Sequence, residues 1–144
     1  MLADEGDADR LAPFAEAMTK RFPDRIDGQY YQASAMFMHG KNEDAVSTLR
    51  PVVAAHPEHA RGQGLLGAAC AALGLRECAQ AAFDAAITGN PRDPSAYINA
   101  GAFRLRTADA QRAADYFASA LAIDPSSTTA RSGLIQARAQ FATR

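Results

Sequence analysis

Six residues in the middle of the chain reproduce the glycine spacing of a dinucleotide-binding loop. Residues 62–67 read GQGLLG, and Asp84 follows twenty residues after Gly64. In a nucleotide-binding fold, a buried strand precedes the glycines and places the pyrophosphate at a helix N-terminus. Here residues 52–59 read VVAAHPEH, which predicts the end of a helix and a proline turn. We therefore expect glycines that serve helix packing, and no nucleotide site.

Two histidines flank a glutamate in the turn just before these glycines, which raises the question of a metal site. His56, Glu58 and His59 lie close together in sequence. A zinc site needs three or four converging ligands, and no further ligand is arranged nearby. We expect solvated turn histidines. His39 falls at a predicted helix end, where a cation interacts favourably with the helix C-terminus. The sequence thus predicts no metal and no cofactor.

The two cysteines, Cys70 and Cys78, lack the C-x-x-C spacing of redox and metal motifs. We expect two buried free thiols that serve as small apolar residues. The alternative is a disulfide in an oxidising compartment, if a helical hairpin brings the two residues together. Serine, histidine and acidic residues form no recognisable catalytic motif, so we predict that these residues carry no enzymatic activity.

A fixed period of 34 residues dominates the chain. Prolines recur at Pro23, Pro57, Pro91 and Pro125. A second series in the same register has Gly6, Gly40, Gly74 and then Ala108. Three further series keep the same spacing: Ala45, Ala79 and Ala113; Leu49, Phe83 and Phe117; and Val52, Ala86 and Ala120. Periods of this length indicate a stack of one supersecondary unit. The register divides the chain into units 26–59, 60–93 and 94–127.

The units resemble the tetratricopeptide repeat. The residues that carry the resemblance in the middle unit are Leu66, Gly67, Gly74, Ala79, Phe83, Ala86 and Pro91, and in the third unit Tyr97, Gly101, Ala113, Phe117, Ala120 and Pro125. The resemblance implies an all-α fold, a right-handed superhelical stack of antiparallel helix pairs. Ala33, Gly67 and Gly101 would let helices approach closely, while Phe83 and Phe117 fill the space between hairpins. The first unit departs from the pattern at Gln32 and Met36, so its first helix should pack less well.

Helix punctuation agrees with this phasing. We predict eight helices, at about residues 8–21, 27–39, 43–55, 61–73, 77–89, 95–107, 111–123 and 128–141. Asp93 followed by Pro94 predicts an N-cap and a first-turn proline, while Asn42, Asp109 and the pair 126–127 should precede helices. Pro51 falls inside the third helix, where a missing N–H group and a clash with the preceding turn predict a kink.

The two ends of the chain differ. Residues 128–144 resemble the terminal capping helix of such arrays, with a polar outer face. At the other end, Gly6 occupies a turn position, so residues 1–5 correspond to the tail of a first helix, and 1–25 to a partial repeat. We expect one repeat domain over residues 1–144, excerpted from a longer array.

Composition sets limits on partners. The chain has 144 residues, 48% of them hydrophobic, and a formal net charge of −1, which gives no reason to expect nucleic acid. No apolar run is long enough for a membrane span. Thirteen arginines against two lysines are compatible with a GC-rich bacterial genome. The compartment stays open: the cytoplasm is favoured, and the periplasm would require an upstream signal that has been removed.

The resemblance implies a concave groove lined by the first helix of each unit, which would bind a peptide or helix of a partner protein. The predicted groove residues are Tyr30, Tyr31, Ser34, Phe37, Met38, Arg61, Leu65, Ala68, Ile98, Asn99 and Arg106. The same positions add Asp27, Gly64, Ala71, Ala72, Ser95, Ala102, Leu105 and, on the last helix, Thr129, Ser132, Gln136 and Gln140. For Tyr30, Phe37 and Met38 the alternative is simple packing against neighbouring helices. The carboxylate clamp of cochaperone repeats is not matched, since only Asn99 fits it.

Two functions remain open. The first is a non-catalytic scaffold that holds a segment of another protein in the groove. The second is a structural or assembly role, in which an uncapped N-terminal helix packs on another copy or on upstream repeats, through Leu11, Phe14, Met18 and Phe22. A related possibility is an appendage that positions substrate for a larger enzyme or secretion complex.

Overall fold

The computed structural model describes residues 11, 13, 14, 16–18, 20, 21 and 25–143. Over these residues the secondary structure is helical, with no strand. The described residues between 11 and 21 are helical, and seven helices follow them. These are α1 (Ile26–Met38), α2 (Asn42–Ala55), α3 (Ala60–Ala72), α4 (Arg76–Gly89), α5 (Pro94–Arg106), α6 (Ala110–Ile123) and α7 (Thr128–Ala142). The seven predicted helices from residue 27 onward are confirmed to within about two residues at each end, while the predicted start of the first helix, at residue 8, lies outside the described residues. Gly6 and the predicted tail at residues 1–5 lie outside the described residues.

The helices form two layers. Helices α1, α3, α5 and α7 contact one another in series, and each also packs on its sequence neighbours. Within the described residues, α2, α4 and α6 do not bring their Cα atoms within 8 Å of one another. The layer of α1, α3, α5 and α7 is therefore the closely spaced side of the stack, and α2, α4 and α6 form the more widely spaced side.

The turns between paired helices repeat the sequence register in their backbone. Gly40 and Gly74 both have φ +74°, and Ala108, in the same register, has φ +62°. A left-handed residue after a helix lets the following N–H groups bond back to the last carbonyls. Each of these turns does so, with Lys41 N–H donating to Met36, Leu75 N–H to Cys70 and Asp109 N–H to Arg104.

Helix N-termini follow the sequence signals in most places. Asp93 accepts the backbone N–H of Ser95 at 2.9 Å with Pro94 as first helical residue, and Ser127 accepts that of Ala130 at 3.2 Å. Asn42 is a correction, because it is already the first residue of α2 and Lys41 precedes it without a side-chain cap. Helix α2 runs on past Pro51 to Ala55, and the kink at this exposed residue stays a prediction.

Glycines and aromatic rings bring the paired helices together. A Cβ atom on Gly67 would lie 2.7 Å from the Phe83 ring, and one on Gly101 would lie 3.0 Å from the Phe117 ring. Phe83 and Phe117 are almost fully buried. The interpretation of residues 62–67 as packing glycines is supported, because all six lie inside α3.

The cysteines contradict our expectation of free thiols. Cys70 on α3 and Cys78 on α4 form a disulfide, with their Cα atoms 5.9 Å apart. Cys70 is fully buried in the larger core cluster, and Cys78 packs against the same cluster. The hairpin places positions eight residues apart on facing helices, which the spacing alone did not specify.

A buried arginine lies between α5 and α6. Arg104 is only 9% exposed and pairs with Asp109 at 3.6 Å. Asp109 also accepts the N–H of Arg112 at 3.3 Å, which confirms it as the N-cap of α6. Nearby, the Tyr116 hydroxyl donates to Asp84 at 3.1 Å, and burial together with that carboxylate raises the pKa of Tyr116.

No helix of the described residues is long and apolar enough to cross a bilayer.

Candidate functional site

The predicted groove residues all lie on α1, α3 and α5, which belong to the closely spaced layer. Their side chains are half-buried or exposed. Each of these side chains therefore has an exposed part that a ligand could contact, while packing holds the rest of the half-buried ones in place. The residues nevertheless fall into three groups with different surroundings.

Aromatic rings gather at the N-terminal part of this layer. The Tyr30 ring centroid lies 5.4 Å from that of Tyr31, and Tyr31 in turn meets Phe14 edge-on at 5.7 Å. The Arg61 guanidinium sits over the Tyr30 ring, 4.9 Å from its centroid. The nearby Tyr30 oxygen is the main reason that the pKa of Arg61 is raised. We call Phe14, Tyr30, Tyr31, His59 and Arg61 the aromatic cluster.

His59 is not the solvated histidine that we expected. Its Nδ1 accepts the backbone N–H of Gly62 at 2.9 Å, so it is the N-cap of α3. Its ring also lies 5.9 Å from the Tyr30 ring, edge-on. Burial lowers the pKa of His59 below 6.5, which fits a neutral ring whose Nδ1 must stay unprotonated to accept a hydrogen bond. By contrast, half-buried His56 pairs with the Glu58 carboxylate, with 3.4 Å between His56 Nδ1 and Glu58 Oε1.

The middle of the layer belongs mostly to the core. Phe37, Leu65 and Ala68 are partly buried and pack against the larger core cluster. For Phe37 the packing alternative is therefore supported. Ala71, which the same positional rule placed in the groove, is 9% exposed. These residues supply a floor of small and apolar groups.

A cavity of about 400 Å³ lies between α5 and α7. We call it the α5–α7 cavity. Its lining residues are Ile98, Ala102, Leu105, Phe117, Thr128, Thr129, Ser132, Gly133 and Gln136. Six of these were expected in the groove: Ile98, Ala102, Leu105, Thr129, Ser132 and Gln136. Apolar side chains of α5 and hydroxyl and amide groups of α7 thus face one space, which suits a ligand with both kinds of group.

Sequence reasoning missed three residues of this cavity wall, namely Phe117, Thr128 and Gly133. Phe117 comes from α6 and contributes although it is nearly fully buried, and Gly133 leaves room for that ring because a Cβ atom there would overlap it. The 34-residue register made Phe117 equivalent to Phe83, as a residue that fills the space between hairpins. That register carries no information on which edge of a buried ring lines a surface.

Arg106 differs from its expected place at an open rim. Its guanidinium donates to the Ala71 carbonyl at 3.4 Å, which ties the end of α5 to the C-terminal end of α3. An arginine near a helix C-terminus stabilises the last carbonyls. Asn99, the other residue expected there, is exposed.

Comparison with known proteins agrees with this architecture. A family model for the tetratricopeptide repeat matches residues 30–77 and 68–128. Among curated protein sequences, none matches the chain. A thermophilic TPR protein of Thermus thermophilus, TTC0263, has a similar structure with a TM-score of 0.82 at 23% identity, covering 96% of this chain and 81% of that one.

Two similar structures contain bound peptides. The first TPR of Spaghetti (RPAP3) bound to an HSP90 peptide, SRMEEVD, has a TM-score of 0.76 at 19% identity and covers 81% of this chain and 93% of that one. The Yersinia enterocolitica type III secretion chaperone SycD, in complex with a peptide of the translocator YopD, has a TM-score of 0.69 at 16% identity, covering 82% and 90%. At such identities the likeness concerns the fold. The family match, the 34-residue register and the stacked helix pairs together show that this chain belongs to the tetratricopeptide repeat family.

Proposed function

We propose that this chain is a non-catalytic scaffold that binds a segment of a partner protein along α1, α3, α5 and α7. The observation that carries the proposal is the α5–α7 cavity of about 400 Å³ on the closely spaced layer. It combines apolar Ile98 and Leu105 with polar Ser132 and Gln136. A partner side chain could bury apolar surface there and still satisfy its backbone, which is how repeat surfaces capture peptides.

The aromatic cluster supports the same function at the other end of the layer. Tyrosines give a large contact area at a small entropic cost, and arginine is common among residues that dominate binding energy. Arg61 is held over the Tyr30 ring, so part of its ordering cost is met before a ligand arrives. Two neighbours of the same fold carry bound peptides, which makes a peptide or helix the favoured ligand class.

The test compares one variant that fills the cavity with a matched control that adds the same groups elsewhere. Ala102 and Ser132 line the cavity and are exposed, so Ala102→Arg with Ser132→Arg fills it without disturbing the core. Ala81→Arg with Ala122→Arg adds the same groups on exposed positions of α4 and α6. A photo-crosslinking residue at Thr129 captures the bound protein in a lysate of the source organism, for identification by mass spectrometry.

We expect the cavity variant to lose the crosslinked partner and the matched variant to keep it, at unchanged melting temperatures. A third variant replaces Tyr30, Tyr31 and Arg106, three of the predicted groove residues, with alanine. It should also lose the crosslinked partner. If the partner is captured equally by the cavity variant, binding does not use this surface and the proposal is wrong.

A second candidate function is assembly through the ends of the stack. Phe14 is 51% exposed near the N-terminus, and Ile135 and Phe141 of α7 are 62% and 60% exposed. Of the other residues expected there, Leu11 is buried and Phe22 lies outside the described residues. Exposed apolar groups at both ends favour end-to-end association. Sedimentation equilibrium of wild type and Phe141→Ser checks this, and a monomer at all concentrations would contradict it.

A further inference from the structure

A second cavity lies away from the proposed peptide surface. It has a volume of about 560 Å³ and is lined by Glu16, Lys20, Gln32, Ala35, Met36, His39 and Lys41. We call it the N-terminal pocket. Its size falls in the range of small-molecule sites. It does not depend on the peptide-binding proposal, because none of its lining residues belongs to the predicted groove.

The pocket uses a different face of α1. Gln32, Met36 and His39 follow one another at spacings of four and three residues, so they lie along one side of the helix. With 3.6 residues per turn, the groove residues Tyr30 and Phe37 lie on the opposite side of this helix. A ligand in the pocket would therefore leave the aromatic cluster free.

The pocket exists where the repeat pattern fails. Moving forward by 34 residues, Gln32, Met36 and His39 correspond to Leu66, Cys70 and Leu73. In the second unit these three residues belong to the larger core cluster or pack against it. In the first unit, Gln32 and His39 are exposed and Met36 is half-buried. Met36 still packs against the core cluster, but polar Gln32 and His39 stand where the second unit has leucines, and the pocket lies beside them.

The floor and the edges of the pocket differ in chemistry. The floor is apolar, because it consists of buried Ala35 and partly buried Met36. The Thr48 hydroxyl donates to the Met36 sulfur at 3.5 Å and holds that side chain in place. The edges carry the ammonium groups of Lys20 and Lys41. These are the only two lysines in the sequence, although the chain has thirteen arginines.

Charge in the pocket favours an anion. Two lysines face one glutamate, Glu16, in a chain whose net charge is −1. Neither lysine forms an ion pair with another residue that the structure describes. An ammonium group on a flexible stem can move to meet a carboxylate, while the apolar floor accepts a hydrocarbon body.

We propose that the N-terminal pocket binds a small amphipathic carboxylate, with its hydrocarbon part on Ala35 and Met36 and its carboxylate at Lys20 and Lys41. The ligand has one acidic group and an aliphatic or aromatic body that fits within about 560 Å³. Octanoate is a suitable probe because it is soluble and has both parts.

Lysine-selective labelling makes the test specific. Since lysine occurs only at positions 20 and 41, a protein labelled with ¹⁵N-lysine gives two backbone amide signals, both from the pocket. We expect octanoate to shift both signals in a saturable way and octyltrimethylammonium to leave them unchanged. If octanoate shifts neither signal at millimolar concentration, or the cation shifts them equally, the proposal is wrong.

Three variants separate charge from shape, with the Met36 methyl signal as readout. Lys20→Gln with Lys41→Gln should weaken octanoate binding by about tenfold, the scale expected for losing charge-assisted hydrogen bonds. Arg76→Gln with Arg92→Gln removes two exposed charges elsewhere and should bind like wild type. Gln32→Trp keeps both lysines but fills the pocket, and should abolish binding while the circular dichroism spectrum is unchanged.

Each result decides the proposal. Undiminished octanoate binding by Gln32→Trp or by the double lysine variant would overturn it. An acidic peptide that shifts the lysine signals when octanoate does not would assign the pocket to protein docking and would also overturn it.

Discussion

Gly67 on α3 lies directly against the Phe83 ring on α4: a Cβ atom at Gly67 would stand 2.7 Å from two carbons of that ring. The ring is buried with 4% exposure, so it has little room to move. The absence of one side chain at Gly67 therefore sets how near the two helices can lie.

We predict that Gly67→Ala lowers the free energy of unfolding by about 1–2 kcal/mol, because overpacking outweighs the helix propensity gained. Gly64→Ala is the matched control, since its Cβ would meet Ala86 Cβ at an ordinary 4.0 Å. That variant should be more stable than wild type by up to about 1 kcal/mol. Urea unfolding followed by circular dichroism measures both, and equal stabilities would contradict the packing account.

Reduction of the Cys70–Cys78 disulfide should destabilise the protein. The bridge closes a short loop, with a sequence separation of 8. By restricting the unfolded chain, it should raise the free energy of unfolding by about 2–3 kcal/mol. Urea unfolding with and without a phosphine reductant measures this difference. Cys78→Ala should start from the lower stability and show no response to reductant. A wild type that responds no more than Cys78→Ala would argue against the bridge.

Stability should fall as the pH drops below about 6.5, in part through His59. Burial lowers the pKa of His59 in the folded protein, whereas the unfolded chain takes up a proton near the reference value of 6.5. The unfolded state thus binds more protons below that pH, and acid favours unfolding until the folded ring also protonates. Protonation at Nδ1 also removes the acceptor for Gly62.

Two asparagine variants isolate this effect in melting temperatures between pH 7.5 and pH 5. His59→Asn keeps a good N-cap but cannot titrate, so the decrease on acidification should become smaller. His56→Asn replaces a half-buried histidine that is not the N-cap of α3, and should keep the wild-type decrease. The same pH profile in His59→Asn and wild type would show that another group is responsible.

Asp109 should contribute more to stability than other N-cap residues because it also neutralises Arg104. Asp109→Asn keeps the cap but leaves a nearly buried guanidinium without its carboxylate at 3.6 Å. We expect a loss of about 1–2 kcal/mol in unfolding free energy. Asp93→Asn, at an exposed N-cap, should lose less than about 0.5 kcal/mol. Equal losses would mean that the ion pair adds nothing.

The sequence determined the architecture through its register. Prolines, turn residues and core residues at 34-residue intervals specify where helices end and which face of each is buried, and these are local properties of the chain. The positions of Gly67 and Phe83 follow from the same register. For this reason the helix bounds, the turn positions between paired helices and the packing glycines were predictable.

Tertiary structure decided what depends on distances between helices. The disulfide was only the alternative to free thiols, and the contact of His59 with Tyr30 and the burial of Arg104 were not predicted, because each depends on the distance between packed helices. Gln32 and Met36 predicted poorer packing of the first unit. That a pocket lies there, lined also by both lysines, is seen only in the folded structure. The 34-residue period specifies which residues are equivalent from one unit to the next. The distances and cavities between side chains of different units are determined only when the helices stack.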